Sequence, residues 1–340
     1  MNVNAFLNTV TNGHRTLPLV VLYVTEGCNM QCVMCSYRDP LPKELSLAEV
    51  QSLGRDLVSH GLKHIVYSGG EPLLRRDLDR ICDFFRSVGV RQSLLTNGLL
   101  LEKRADLAGY FAEIIVSLDG PTAEVHDTIR RTQAFDQILR GISKVRESRD
   151  APEISIRTVV QKANFRLLPD MVRLARSLGA QRISFLAADV LSAAFGRGTV
   201  GSPDSALMLT EKESMEFRSI VKRMTESHRE EFESRFISES PATMLHLVQY
   251  FEALLGKSPF PQNRCNAPMI SAVITSTGNV QPCFFLPSLG NVHHAGIPEV
   301  LGSPQAELVR SEVRQYRLDR CKTCVCTLNV SPVRALFDRF

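Results

Sequence analysis

The segment Pro18-Leu-Val-Val-Leu-Tyr-Val-Thr25 runs straight into Glu26-Gly27-Cys28-Asn-Met-Gln-Cys32-Val-Met-Cys35. A continuous apolar run of this length reads as a strand buried on both faces, as in a parallel sheet. The cysteines follow with the spacing C-x3-C-x2-C, so they sit on a loop at that strand's carboxyl end, where barrel enzymes place their chemistry. Three thiolates on one short loop can bind three irons of a cubane cluster and leave the fourth iron open to a ligand. Structural zinc is the alternative. It wants four protein ligands, usually in two pairs, and no fourth Cys or His lies close by in sequence.

Outward from this loop the chain alternates strand and helix signals. Further strands are expected at 63–67, 91–96, 113–118, 153–160 and 182–187. Between them, Ser46 with Glu49 forms a capping box that opens a helix toward Gly61. Leu78, Ile81, Cys82, Phe85 and Val88 share one face of a helix stopped by Gly89. Two more helices are expected at 134–147 and 167–178. Such alternation demands a parallel sheet with crossover helices. Six units are too few for a complete eight-fold barrel. The expected fold is therefore α/β, an incomplete (β/α)6 barrel over 1–187. Residues 188–209 read as a loop. A second capping box, Thr210 with Glu213, opens a helix to about 228, and another runs near 241–255, so 188–262 reads as a helical linker region. Pro259 and Pro261 mark its end, and 263–340 forms a small cysteine-rich domain with few helix signals. Within the strands, Ile114, Val116 and Leu118 should face the outer helices, and Ser117, Asp119, Ser155 and Arg157 the barrel interior. A lumen with polar groups at one end is an active site rather than a sealed core.

The chain has 340 residues, 44% of them hydrophobic, which suffices for a real core. Of nine cysteines, three fall between 28 and 35, five lie after 264, and Cys82 stands alone. An odd, clustered set argues against a secreted disulfide framework and fits thiolate metal chemistry in a reducing cytoplasm. No signal peptide or membrane span is visible. The net charge of +4 is small and no block of like charges stands out, so nucleic acid is not implied. Arg75 and Arg76 read as a solvated helix start. Cys82, on an apolar stripe, reads as core.

The C-x3-C-x2-C loop resembles the signature of the radical S-adenosylmethionine (SAM) superfamily. Gly69-Gly70-Glu71-Pro72 after the second strand resembles that family's GGEP motif. Thr96-Asn97-Gly98 closes the third strand, Val116-Ser117-Leu118-Asp119-Gly120 closes the fourth, and His126-Asp127 with Arg130 follows. The resemblance covers roughly residues 18–187 in the expected order. It implies that Cys28, Cys32 and Cys35 hold a [4Fe–4S] cluster whose open iron is chelated by the amino and carboxylate groups of SAM. It implies reductive cleavage of SAM to methionine and a 5′-deoxyadenosyl radical, which abstracts hydrogen from the substrate, and an electron donor such as flavodoxin or ferredoxin. Gly69 and Gly70, without side chains, would let backbone approach the methionine moiety. Glu71 would accept from its ammonium group, with Pro72 and Asn97 in the same SAM-binding set and Met34 near adenine. Ser117 and Arg130 would suit the ribose and carboxylate. Arg157 could touch SAM or substrate, or else form a structural ion pair with Glu153 or another carboxylate.

The tail reads Cys265-x12-Gly278-x4-Cys283, then Cys321-Lys-Thr-Cys324-Val-Cys326. A hairpin from Val273 through Ser276-Thr277-Gly278-Asn279 to Val280 would bring its flanking cysteines together. The later C-x2-C can complete four thiolates, which suit a fully ligated [4Fe–4S] cluster or tetrahedral zinc. The pattern resembles the auxiliary-cluster tails called SPASM and Twitch domains. Five cysteines are too few for two clusters, so the shorter one-cluster type fits. Cys265, Cys283, Cys321 and Cys324 are then the ligands, and Cys326 is spare or replaces Cys324. His293 and His294 read as solvated loop residues.

An auxiliary cluster could accept an electron from a substrate radical, giving net oxidation (dehydrogenation) of a small molecule. Only 27 residues precede Cys28, where peptide-modifying relatives often carry a leader-binding domain, and this favours a small substrate. Asp189, just beyond the sixth strand, is a candidate acid–base group or substrate-hydroxyl contact, against the plainer fate of a solvated loop aspartate. Two other functions stay open. One is a maturase that crosslinks or epimerises a ribosomally made peptide. The other is a non-catalytic iron–sulfur protein for electron transfer or sensing, which would have no need of the Gly69–Pro72 motif or a polar lumen.

Overall fold

A computed structural model describes residues 1–11, 13–197, 206–326 and 328–337. After a first helix, α1 (Val3–Val10), the chain runs β1 (Leu19–Thr25), α2 (Leu47–Ser59), β2 (His64–Gly69), α3 (Leu78–Ser87), β3 (Arg91–Thr96), β4 (Glu113–Ser117), α4 (Ala123–Arg130), α5 (Phe135–Arg146), β5 (Glu153–Val160), α6 (Leu168–Ser177) and β6 (Arg182–Ala187). All six strands pair in parallel, each with its sequence neighbour. β1 is buried along almost its whole length, as a strand covered on both faces must be. Both capping boxes form: Ser46 with Glu49 opens α2, and Thr210 with Glu213 opens α7 (Glu211–Ser227). On α3, Leu78, Ile81, Cys82 and Phe85 are fully buried, but Val88 is 39% exposed because the helix has ended by then.

The helical region continues through α8 (Arg229–Glu233) and α9 (Pro241–Leu254). Part of the expected 188–209 loop, residues 198–205, lies outside the described residues. Between α8 and α9 the chain lies along the outer edge of β6, where Ile237 bridges Ile183 and the Phe185 amide donates to Glu239 Oε2 at 2.9 Å. The edge of the partial barrel is thus covered rather than bare.

The tail is more ordered than its sequence suggests. It carries α10 (Ala267–Ile270), β7 (Ser271–Ile274), β8 (Asn279–Gln281), β9 (Gly290–Asn291), α11 (Ile297–Gly302), α12 (Pro304–Arg314), α13 (Asp319–Lys322) and α14 (Pro332–Leu336). β7 and β8 form the expected antiparallel hairpin. β7 also pairs in parallel with β1, Leu19 opposite Ser271 and Leu22 opposite Ile274. One nine-stranded sheet of order β6-β5-β4-β3-β2-β1-β7-β8-β9 results, and it runs unbroken across the boundary expected at 263. Arg75 departs from the solvated role expected of it. Its guanidinium is nearly buried, pairs with Asp77 at 2.7 Å and donates to the Val24 carbonyl, tying the loop after β2 to β1. Arg76 is exposed, as expected. Among the described residues no helix is long and apolar enough to cross a membrane.

Candidate active site

The carboxyl ends of β1 to β6 surround a cavity of about 220 Å³ lined by Cys28, Cys32, Met34, Cys35, Gly69, Gly70, Asn97, Ser117, Arg130, Arg157 and Asp189. Residues spread over much of the sequence meet here because parallel strands bring all their following loops to one end. Burial pushes the Cys28 thiol up to about 11, and raises Cys35 as well. Two donors point at sulfur: Arg130 Nη1 lies 3.6 Å from Cys32 Sγ, and Asn97 Nδ2 lies 3.8 Å from Cys28 Sγ. Asn97 also donates to Asn29 Oδ1 at 2.8 Å, which braces the cysteine loop against β3.

Arg130 is held in turn by Asp119, Nη2 to Oδ2 at 2.7 Å, in a pair almost sealed from solvent. Asp119 Oδ1 accepts from the Val159 amide, and the Asp119 amide donates to His126 Nδ1. Burial drives the His126 pKa down to about 3, so the ring is neutral. Asp119 and Ser155, expected in the lumen, are buried but do not line the cavity. Ser155 is bonded to Glu113, which also pairs with Arg182.

Glu71 and Pro72 also lie behind the cavity wall rather than on it. Both Glu71 oxygens are taken: the Thr96 hydroxyl and the Leu73 amide donate to Oε1, and the Asn97 amide donates to Oε2 at 2.7 Å. Its carboxylate therefore pins the end of β3 to the loop after β2. Gly69 and Gly70 do line the cavity, but their missing side chains serve another contact. A Cβ on Gly69, whose φ is +119°, would lie 2.1 Å from the Thr25 carbonyl oxygen, and one on Gly70 would lie 2.2 Å from that of Gly27. The two glycines let the β2 loop nest against the chain that leads into Cys28.

Arg157 forms no ion pair among the described residues. Its Nε donates to Ser184 Oγ at 3.2 Å, and Glu153 pairs with Arg182 instead. Asp189 is not the solvated loop residue that its sequence context suggests. It is 5% exposed and bound by two guanidinium groups, Arg197 Nη2 at 2.7 Å and Arg320 Nη2 at 2.8 Å, and by the Ser192 hydroxyl. Burial pushes its carboxyl up, but Ser192 and Arg320 outweigh burial and hold it below the usual range.

A second cavity of about 100 Å³ is lined by all five tail cysteines, Cys265, Cys283, Cys321, Cys324 and Cys326, together with Arg320. Burial raises Cys283 to about 12, and it raises Cys321 and Cys324 against the pull of Arg320. Phe284, Phe285 and Cys326 border both cavities. Tyr23, Tyr37 and Phe195 complete an aromatic wall around the first, with Phe195 and Phe285 centroids 5.9 Å apart edge to face. The only sequence signals for this wall are the Phe284-Phe285 pair directly after Cys283 and Tyr37 two residues past Cys35. His293 and His294 are exposed, and His293 faces Glu49.

The donor set fits iron–sulfur. Each corner of a cubane takes one thiolate, so its cysteines stand around a cage rather than converge on a point. Among the described residues no group of three or more His, Cys, Asp and Glu is arranged to hold a single metal ion. N–H groups aimed at sulfur are the environment that a cluster's thiolates use.

A parallel partial barrel with a thiol triplet at its carboxyl end, and a second thiol cavity beside it, defines an iron–sulfur enzyme. Residues 22–175 match the family model of the radical SAM superfamily, and 265–325 match that of the SPASM iron–sulfur cluster-binding domain. The chain is 30% identical to the GTP 3′,8-cyclase of Marinobacter nauticus over 84% of its own length and 83% of the relative's. It is 28% identical to the subtilosin biosynthesis protein AlbA of Bacillus subtilis over 86% of this chain and 62% of that one. Several curated relatives are matched over only about half their length. A solved structure of anSMEcpe with bound AdoMet shares the fold, with a TM-score of 0.66 at 18% identity, covering 95% of this chain and 93% of that one. The chain belongs to the radical SAM superfamily, with a C-terminal SPASM-type domain, and its cofactors are a [4Fe–4S] cluster, S-adenosylmethionine and auxiliary iron–sulfur.

Proposed function

We propose that this protein is a radical SAM dehydrogenase of a small-molecule substrate, in which an auxiliary centre takes up the electron left on the substrate. Cys28, Cys32 and Cys35 hold the first cluster, and Cys265, Cys283, Cys321 and Cys324 hold one auxiliary cluster. A cluster held there would supply the one-electron reduction that makes SAM a source of hydrogen-abstracting radical chemistry.

The protein's own residues bind, orient and exclude water. Asn97 and Arg130 donate toward the cysteine sulfurs, N–H groups of the kind that surround a cluster's ligands. Asp119 fixes the Arg130 guanidinium in the wall of the cavity. Ser117, at the end of β4, offers a hydroxyl to the ribose, and Met34 a flexible apolar surface to the adenine. Arg157, which among the described residues is bonded to the Ser184 hydroxyl and forms no ion pair, is left to meet SAM or substrate. Tyr23, Tyr37, Phe195, Phe284 and Phe285 close the chamber with apolar surface.

The observation that carries the oxidative reading is the shared wall. Phe284, Phe285 and Cys326 border both cavities, so a substrate in the first sits one side chain from the auxiliary cysteines. The likeness to AlbA supports the second reading, a peptide substrate. Anaerobic protein reconstituted with iron and sulfide and reduced with dithionite should convert SAM to 5′-deoxyadenosine. A small-molecule ultrafiltrate of cell extract should accelerate that conversion, with a product two hydrogens lighter. Acceleration by the retained peptide fraction alone would transfer the reading to peptide maturation. No SAM cleavage at all would leave a non-catalytic iron–sulfur protein.

A further inference from the structure

One charged network crosses the wall between the two cavities. Asp189, just beyond β6, lines the first; Arg320, at the start of α13 and next to Cys321, lines the second. Arg320 Nη2 lies 2.8 Å from Asp189 Oδ1, and its Cζ sits 4.8 Å from the Phe285 ring centroid. The pair is nearly sealed, with side-chain exposures of 1% for Asp189 and 16% for Arg320. Arg197 takes the other Asp189 oxygen, so one carboxylate faces two guanidinium groups and the network keeps a net positive charge. Among the described residues, Arg320 Nε is buried without a hydrogen-bond partner. A cation fixed by packing and an ion pair, with a donor unspent, stands beside the auxiliary thiols.

We propose that Arg320, held in place by Asp189, sets the reduction potential of the auxiliary centre. The inference rests on the second cavity being a cluster site. Reduction adds negative charge to a cluster, so a nearby guanidinium favours the reduced state and raises the potential, while a carboxylate on that guanidinium tempers it. Arg320 is thus a positioning and tuning residue, and Asp189 links its charge to the chamber where substrate sits.

The test is an EPR-monitored redox titration of cluster-loaded full-length protein without SAM or substrate. Arg320→Met should shift the auxiliary midpoint to lower potential. Asp189→Asn, whose amide oxygen still accepts from Arg320 and so keeps it in place while the counter-charge is removed, should shift it to higher potential, and Arg320→Lys should stay near the wild type. The midpoint of the first cluster is the internal reference. Shifts of the same sign in Arg320→Met and Asp189→Asn, or none with iron content intact, would overturn the proposal. If Arg320→Met fails to retain iron, the comparison of Asp189→Asn with Arg320→Lys decides by the same signs. Wild-type protein with no auxiliary iron would instead overturn the cluster reading itself.

Discussion

At the scale of single residues, the site depends on buried polar groups whose partners are fixed. Asp119 and Arg130 form an ion pair with side-chain exposures of 0% and 10%. Removing one member of such a pair leaves an uncompensated buried charge, which costs about 3–5 kcal/mol. Arg130→Met should lower stability by that order in urea unfolding at neutral pH, and adding Asp119→Asn should recover much of it. Glu71 titrates for a different reason. Burial raises its pKa to about 6, against 4.5 for a free glutamate, although the Asn97 and Leu73 amides pull the other way. The folded state therefore binds this proton more tightly than the unfolded state. The associated stability is fully present below pH 4.5 and is lost as pH rises through about 6. Glu71→Gln, which cannot titrate, should flatten that segment of the stability curve in unfolding measured across this range.

At the scale of elements, the hairpin β7–β8 binds the tail to the barrel. Ile274 is fully buried, pairs with Leu22 of β1 and faces Val280 across the hairpin. Ile274→Ala should destabilise the protein by about 2–5 kcal/mol in denaturant unfolding, the usual cost of a large-to-small core change. Much of the element structure was legible in the sequence. β3, β5 and β6 fall on their expected spans, and both capping boxes form, because these features are written in local patterns. The pairing of β7 with β1 was not legible, since nothing local in Ser271–Ile274 names its partner. Helix α12 lies in the tail that reads as having few helix signals, yet it carries a Ser303 cap and a proline in its first turn, both ordinary helix-start features. At the site, the thiol triplet, Met34, Gly69, Gly70, Asn97, Ser117, Arg130, Arg157 and Asp189 were all legible as candidates, and they share one cavity. What Glu71, Gly70 and Asp189 touch was not, because their partners come from other loops.

At the scale of the whole molecule, two thiol cavities are built on one sheet and share a wall. Their cysteines come from opposite ends of the chain, so each cavity should load separately. A Cys28→Ala/Cys32→Ala/Cys35→Ala variant should keep about half of the wild-type iron, all of it auxiliary, by metal analysis and EPR. The shared sheet also governs how the molecule is made. β1 is central only because β7 covers its second edge. While the ribosome is still extending the chain beyond β6, that edge is a row of unpaired amides and carbonyls flanked by apolar side chains, a template for strands of other nascent chains. The last quarter of the polypeptide is thus its own edge guard, and synthesis that stalls before Ser271 releases a sticky product.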